Sequence, residues 1–495
     1  MSGFSAEELF ERGVGITYDD FTLLDTILTV ITRDNISLKT NLGKGISLQV
    51  PIIASPMDTV TNAELCIALA LEGGIGGIHY NYKFPDGTPD LDAQQKEVER
   101  VKRFKNGFIE NPIVLAPNQT IEDAIKIGQK NMVGTSPIST FPVTYRGAPH
   151  GKLLGLLRKQ DYSFTNHTQS RVKDRMLPLE KLISAEWPLT LDQANKMLWE
   201  EHLLFLPIVN KNGRLKYLIT RSDIDKNEKY PLATKDDKER LQVLFAVETW
   251  PNPAYERLER CFDAGADGCI IDTSQGNTVH EVSMIKYILK KYPNKLVIGG
   301  NISTLEAYQT LSDAGLKAYR CGQGSGSICT TAGAIGIARA GAAGIYHTAK
   351  SEGNAIADGG LREVGDIVKA LTIGADVVML GNMLAGTEES PGETIIDPQS
   401  GLQIKVYRGM GSKEASAGKA RGYSRLPQGV SSSVQYRGSV HSWIPLIKDG
   451  ILSALESLNC QSIPELHKKM YSGDIRFEKR TVGSLQESRP HSLNH

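Results

Sequence analysis

Gly324-Ser325-Gly326-Ser327-Ile328-Cys329-Thr330-Thr331 is the stretch whose residue types are closest to chemistry. One cysteine sits in a loop of small residues whose backbone amides are free to converge on an anion, with the hydroxyls of Ser327, Thr330 and Thr331 around it. A thiol in that setting can attack an electrophilic carbon. Taken alone, the run is equally a flexible Gly/Ser loop with an incidental cysteine, so the elements around it must decide.

Lys plus Arg and Asp plus Glu both number 56 in the 495-residue chain, so nothing in the bulk charge calls for nucleic acid or an anionic membrane. Hydrophobic residues make up 40% and charged residues 23%, an ordinary globular balance with room for one large domain and a smaller one. Six cysteines, Cys66, Cys261, Cys269, Cys321, Cys329 and Cys460, lack any Cys-x-x-Cys pair, which argues against a zinc site and a disulfide framework. A reducing, cytoplasmic setting fits. No basic-then-apolar signal, membrane-length apolar run, lipidation motif or peroxisomal address is read at either end or between them.

Two patterns would position the cysteine. Outside the middle of the chain, short buried runs alternate with amphipathic stretches. The expected strands are 48–55, 76–79, 268–272, 296–301, 318–322, 355–358 and 377–381, several introduced by an Ala-Gly or Gly-Ala step. The cadence, without a Gly-x-Gly-x-x-Gly first turn, predicts an α/β (β/α)8 barrel with its chemistry at the strand C-terminal ends. Between about 111 and 225 the sequence repeats itself at an offset of 70, placing Thr120 on Thr190, Ala124 on Ala194 and Pro137-Ile138 on Pro207-Ile208. Each copy continues into a strand-like run, 153–157 or 215–219, and closes on Asp161 or Asp223. The expected division is a barrel part at 1–109, the duplicated module at 110–228 and a second barrel part at 229–495. The module resembles a tandem CBS pair, a type that often binds adenine or guanine nucleotides. A duplicated unit without a ligand is the alternative.

The loops after the last two barrel strands commonly hold a phosphate, and here they open on Asp358-Gly359-Gly360 and Gly381-Asn382. With Ser327 they make a three-sided cradle. Asp358 would repel a phosphate and is assigned to a sugar hydroxyl. Asp272-Thr273-Ser274-Gln275-Gly276 can grip ribose or a carboxamide, or can cap the next helix. Arg320 and Asn301 end neighbouring strands, with structural ion pairing the alternative for the arginine.

These motifs, together with Ser55-Pro56-Met57-Asp58 and Tyr407-Arg408-Gly409-Met410-Gly411-Ser412, resemble the IMP dehydrogenase/GMP reductase family over nearly the whole chain, including the tail Met470-Tyr471-Ser472-Gly473. The resemblance implies that Cys329 attacks C2 of a purine nucleotide. A dehydrogenase then passes hydride to NAD and hydrolyses the thioimidate to XMP; a reductase displaces ammonia from GMP and uses NADPH to make IMP. Thr331 would handle a proton beside the reacting carbon. Ser327, Gly359, Gly360, Gly381 and Asn382 would hold phosphate and Asp358 ribose. Ser55, Met57, Tyr407, Gly409, Met410, Gly411 and Gln428 would complete the nucleotide site. Asp272, Thr273, Ser274, Asn301, Arg320, Gly322 and Gly324 would form the nicotinamide side.

The resemblance leads to IMP dehydrogenase, with a CBS-containing GMP reductase and an inactive nucleotide-sensing homologue as alternatives, and to a homotetramer, with an octamer driven by nucleotide as a further state. The flap reads Lys419-Ala420-Arg421-Gly422-Tyr423-Ser424-Arg425, where the family has an adjacent Arg-Tyr pair that activates water. Arg421 and Tyr423 are the expected catalytic pair, and Arg425 is the other arginine that could serve. Ala338-Arg339-Ala340-Gly341 stands where a Gly-Arg-Pro-Gln-like turn is usual. Potassium would be held by Gly324, Gly326 and Cys329 carbonyls with Glu487 from a neighbouring subunit. Because Glu487-Ser488-Arg489 replaces a Glu-Gly-Gly segment, weak or absent potassium dependence is expected.

Overall fold

The computed structural model describes residues 3–11, 13–26, 32–104, 109, 112–133, 136–163, 165–221, 229–416 and 428–488. Two compact units emerge. The first comprises Met1–Lys102, Leu232–Asp236 and Leu241–His495, and the second Arg103–Pro231 and Asp237–Arg240.

The first unit is built on eight parallel strands closed into a barrel: β1 Ile52–Ala54, β2 Ile75–Ile78, β3 Leu244–Val247, β4 Gly268–Ile271, β5 Leu296–Ile302, β6 Ala318–Cys321, β7 Asn354–Asp358 and β8 Val377–Leu380. Most of their sequences are short, largely apolar runs rather than alternating ones, because a barrel strand is covered by helices outside and by the other strands inside. The register closes through Val378 on Ile52 and Leu244 on Gly77. Each strand leads to a helix: α1 Ala63–Leu71, α2 Leu91–Arg103, α3 Pro251–Asp263, α4 Val279–Lys291, α5 Leu305–Asp313, α6 Gly341–Thr348, α7 Val364–Thr372 and α8 Val440–Ser457. Side-chain caps from Asn62, Thr278, Thr304 and Ser439 start α1, α4, α5 and α8, each satisfying an amide the helix leaves open. A hairpin of Thr40–Gly43 and Ile46–Leu48 sends Leu42, Ile46 and Leu48 into the barrel core beside Ile75, Leu244, Leu296, Ala318 and Val377. Those five are first residues of strands, so the hairpin plugs the N-terminal end and leaves the C-terminal end for the loops.

Seven strands coincide with the expected runs to within a few residues. The eighth, Leu244–Val247, was absent from the expectation: its Leu-Phe-Ala-Val run has no flanking Gly step and follows directly on the second unit in sequence. A three-stranded antiparallel sheet of Thr394–Ile396, Gln403–Arg408 and Ser431–Gln435 rises between β8 and α8. It carries the Tyr407 to Gly411 segment.

The second unit holds two similar halves. In one, Phe141–Thr144 and Leu153–Leu157 pair antiparallel; in the other, Phe205–Val209 pairs with Leu215–Thr220 in the same way. Each half has a helix opened by a threonine capping box, Thr120 with Asp123 on Ile121–Lys130 and Thr190 with Gln193 on Leu191–Glu200. Ala124 and Ala194 are both fully buried in separate small cores. Thus the offset of 70 holds for the helices but not for the strands. Pro142, 65 residues before Pro207, is the one that lies on the equivalent strand. The cause is an extra two-stranded turn, Met132–Val133 with Ser136–Pro137, in the first half. The expected boundary at 110–228 becomes 103–231 with 237–240. Asp161 closes its half on Arg158 at 2.8 Å, while Asp223 lies outside the described residues.

Candidate active site

At the C-terminal ends of the strands a cleft of about 2350 Å³ is lined by residues from all eight strand ends and from the antiparallel sheet. That exceeds the ~1000 Å³ upper range for one small ligand, so there is space for two side by side.

Cys329 occupies the loop after β6. Its thiol lies 3.0 Å from the Thr331 hydroxyl, which in turn donates to Gln428 Oε1 at 3.3 Å. Backbone bonds fix this geometry: Thr330 N donates to Gln428 O at 3.1 Å, Val430 N to Ile328 O at 3.1 Å, and Gln428 N to Gly411 O at 3.2 Å. The cysteine loop, Gln428 and the Gly409 to Gly411 segment are therefore one stitched surface. Burial separates Cys329 from its five siblings. Cys66, Cys261, Cys269, Cys321 and Cys460 are buried, and burial pushes their thiols up, to about 12 for Cys261 and Cys321 and about 11 for Cys460. Cys329 alone is half-buried, and it lines the cleft.

The three loops expected to form a cradle lie close together. Asn382 Nδ2 donates to Ser327 Oγ at 3.4 Å, joining the loop after β8 to the cysteine loop. Gly359 and Gly360 have φ of +92° and +80°, and a Cβ on Gly359 would sit 2.8 Å from Ser325 Oγ and 3.1 Å from Gly326 N. Only glycine fits that approach. A Cβ on Gly381 would meet Tyr407 Oη at 2.9 Å and Met57 Sδ at 3.3 Å, which places both against the cradle. Burial pushes the Tyr407 phenol up to about 12, keeping it a neutral donor.

Asp358 ends β7 beside this cradle. Asn301 Nδ2 donates to its Oδ2 at 2.9 Å, and Arg320 Nη1 lies 3.6 Å away. Burial raises the Asp358 carboxyl, while Arg320 and Asn301 pull the other way. Arg320 is buried, with Nη2 on Asp272 Oδ1 at 3.0 Å, Ile271 O at 3.0 Å and Gly300 O at 3.3 Å. Arg320 thus pairs with two carboxylates and also lines the cleft. Asp272, Thr273 and Ser274 are free of helix capping, because Thr278 caps α4. Asp272, Thr273, Ser274, Asn301, Gly322 and Gly324 all line the cleft.

Some residues were not singled out from the sequence. Asp58 forms a two-pronged pair with Arg408, Nη2 to Oδ2 at 2.8 Å and Nε to Oδ1 at 3.1 Å, and takes Asn81 Nδ2 at 2.7 Å. Asn81 also reaches Ala415 O at 3.3 Å, with Lys83 Nζ on the same carbonyl at 3.1 Å. His79, stacked on Tyr82 at 4.1 Å, is pushed down to about 4 by burial and accepts the Asn81 backbone N–H on Nδ1 at 3.0 Å. This cluster fixes the root of the Tyr407 to Gly411 segment. Its signal lay in Asp58 and Arg408, each inside a recognised motif but 350 residues apart. Arg339 has a structural task, donating to Ser303 O at 2.6 Å.

Arg421, Tyr423, Arg425 and Arg489 lie outside the described residues. Glu487 ends the helix Val482–Glu487 and does not line the cleft of its own chain. Among the described residues, no three His, Cys, Asp or Glu side chains are grouped to hold a metal ion, and no helix is long and apolar enough to cross a membrane.

Residues 15–491 match the family described as IMP dehydrogenase / GMP reductase domain. The inosine-5'-monophosphate dehydrogenase of Schizosaccharomyces pombe is 37% identical, the alignment covering 98% of this chain and 93% of that protein. The Toxoplasma gondii enzyme of the same name is 34% identical over 99% and 98%. Among solved structures, a cysteine-to-alanine variant of Trypanosoma brucei GMP reductase in complex with guanosine 5'-monophosphate superposes with a TM-score of 0.88. It is 31% identical, with 99% of this chain and 100% of that chain covered. With the cysteine loop, the cradle and the Asp358 brace arranged as described, this chain belongs to the IMP dehydrogenase/GMP reductase family.

Proposed function

We propose that the protein is an NAD(P)-dependent oxidoreductase that acts on a purine nucleotide through Cys329, with IMP dehydrogenation as its reaction. One observation carries the reading: the single half-buried thiol of the chain lines the cleft 3.0 Å from the Thr331 hydroxyl, in the same cleft as Ser327, Gly360, Gly381 and Asp358.

The chemistry follows from that placement. A nucleotide anchored by its phosphate on Ser327, Gly360, Gly381 and Asn382, and by its ribose on Asp358, directs its base toward Cys329. Met57, Met410 and Gly411 lie against that base, and Gln428 meets it from the flap side. Cys329 Sγ adds to C2, and the Thr331 hydroxyl moves the proton. The 272–274 turn, Asn301 and the space beyond them suit a nicotinamide, which when bound takes the hydride in the dehydrogenase or supplies it in the reductase. In the dehydrogenase, water then adds at C2 and the Cys329 bond breaks, releasing XMP.

A second reading, GMP reduction with NADPH, is favoured by the fold likeness to a GMP reductase over both chains and by the glycine that parts Arg421 from Tyr423. There ammonia leaves C2 before the hydride arrives, and no water-activating pair is needed. Parallel assays of IMP with NAD and GMP with NADPH, read at the nicotinamide absorbance, decide between them. Turnover of IMP with NAD is the expected result. Turnover with GMP and NADPH alone establishes the second reading, and turnover with neither would falsify both.

The unit of 103–231 is read as a tandem CBS module that takes regulatory purine nucleotides, supported by its two threonine-capped halves with separate cores. A homotetramer follows from the family resemblance.

A further inference from the structure

Glu281 is a buried acid that the purine chemistry leaves unused. It sits in the first turn of α4, fully buried. Its Oε1 accepts the Gly300 N–H at 2.6 Å and its Oε2 the Thr273 hydroxyl at 2.8 Å. Glycines shape the slot: a Cβ on Gly276 would come within 3.0 Å of the carboxylate, and one on Gly299 within 3.0 Å. The two bonds tie the turn after β4 to the end of β5. From there the ties continue outward, since Arg320 Nη2 binds Gly300 O and Asp272, and Asn301 Nδ2 binds Gly322 O at 2.7 Å and Asp358. One carboxylate therefore underlies the loop ends of four strands, β4 to β7.

Thr273 Oγ1 lies 2.8 Å from Glu281 Oε2 and 2.8 Å from Gly300 O. A hydroxyl has one proton to donate, so only one of these oxygens receives it. With Glu281 ionised, the hydroxyl serves the carboxylate, and Gly300 O is left to Arg320. With Glu281 protonated, the acid donates to Thr273, whose own proton turns to Gly300 O as a second donor beside Arg320. The charged groups facing Glu281 are Asp272 at the end of β4 and Arg320 on β6, with Asp358 on β7 beyond the arginine. Burial pushes the Glu281 carboxyl up to about 7; the bonds from Gly300 and Thr273 and the Arg320 charge limit the rise, and Asp272 adds to it. The helix N-terminus also favours the anion.

We propose that Glu281 is a positioning residue for the purine reaction, whose ionised form holds the 272–274 turn, Gly300 and Arg320 in the arrangement that orients Asp358 and the nicotinamide wall. The proposal rests on the assignment of Cys329 and Asp358 to a purine nucleotide site.

Glu281→Gln tests it, because the amide copies the protonated arrangement at every pH. Turnover of the parent falls as pH drops through about 7, and the part of that fall owed to Glu281 disappears in the variant. At pH 8 the variant turns over roughly fivefold more slowly, the rate equivalent of one ordinary hydrogen bond. Full turnover at pH 8, or an unchanged low-pH fall, overturns the proposal. Folding is checked by melting. A carboxyl whose pKa is raised in the fold binds more protons folded than unfolded, so its ionisation lowers stability as pH rises from about 4.5 to about 7. The amide lacks that loss, and the variant melts no lower than the parent at pH 8; a clearly lower melting point would mark Glu281 as a mere structural anchor and overturn the assignment. A readout independent of turnover is the infrared C=O band of a buried carboxylic acid, expected to titrate near pH 7 in the parent and to be missing in Glu281→Gln. A parent that turns over neither substrate pair refutes the function reading, while the infrared titration still decides for or against the Glu281 brace: no titrating band overturns it.

Discussion

The barrel unit and the second unit bury their apolar residues in different ways, and the difference says where function can be altered without loss of fold. In the barrel, eight strands close on themselves with their apolar runs covered on both faces, and a plug from the 40–48 hairpin fills one end. No barrel strand is left with an open edge, and the reactive groups sit on loops at the other end. In the second unit, each half keeps its own small core, eight buried residues in one and six in the other among the described residues. A single large side chain there is a sizeable share of what holds its half together.

Cys329→Ala in the barrel is the change with the largest expected effect. It removes the nucleophile from a half-buried position, so turnover falls by roughly 10⁴-fold or more while the melting temperature stays put. A residual rate within tenfold of the parent would sink the comparison from the barrel side. The converse change is Phe141→Ala in the first half of the second unit, where the ring is fully buried among Leu115, Ile121 and Leu157. A loss of about 3–5 kcal/mol is expected, seen as an earlier transition in calorimetry, with turnover of the substrate pair at 25 °C, without any further regulatory nucleotide, unchanged. Equal losses in rate and stability would show that the two units do not behave separately. The smallest effect concerns potassium. With Ser488-Arg489 in place of the usual glycines, a potassium titration against sodium changes turnover by no more than about twofold, because ionic strength, and with it screening, is held constant. A strong saturable rise would restore the cation site.

Local patterns were legible where a residue's own chemistry dictates its surroundings. The cysteine loop and Gly359-Gly360 are of this kind, because a glycine at positive φ has few alternatives. The strand Leu244–Val247 was missed because a short apolar run without alternation fits a buried strand and a buried helix equally. The strand offset of the repeat failed for a different reason: a local insertion moves the register without changing the residue types.

What the sequence by itself determined is the inventory: one cysteine among small residues, glycine turns at the ends of late strands, and motifs specific enough to name a family. What the tertiary structure alone decided is the partnerships. Barrel closure brings Asp272, Asn301, Arg320 and Asp358 to within hydrogen-bond or ion-pair reach, joins Asp58 to Arg408 across 350 positions, and lays Glu281 under the whole group. Spacing along a chain specifies which residues share a helix face or a strand face, but the neighbours of a strand end are set by shear and closure of the sheet, which no local pattern encodes.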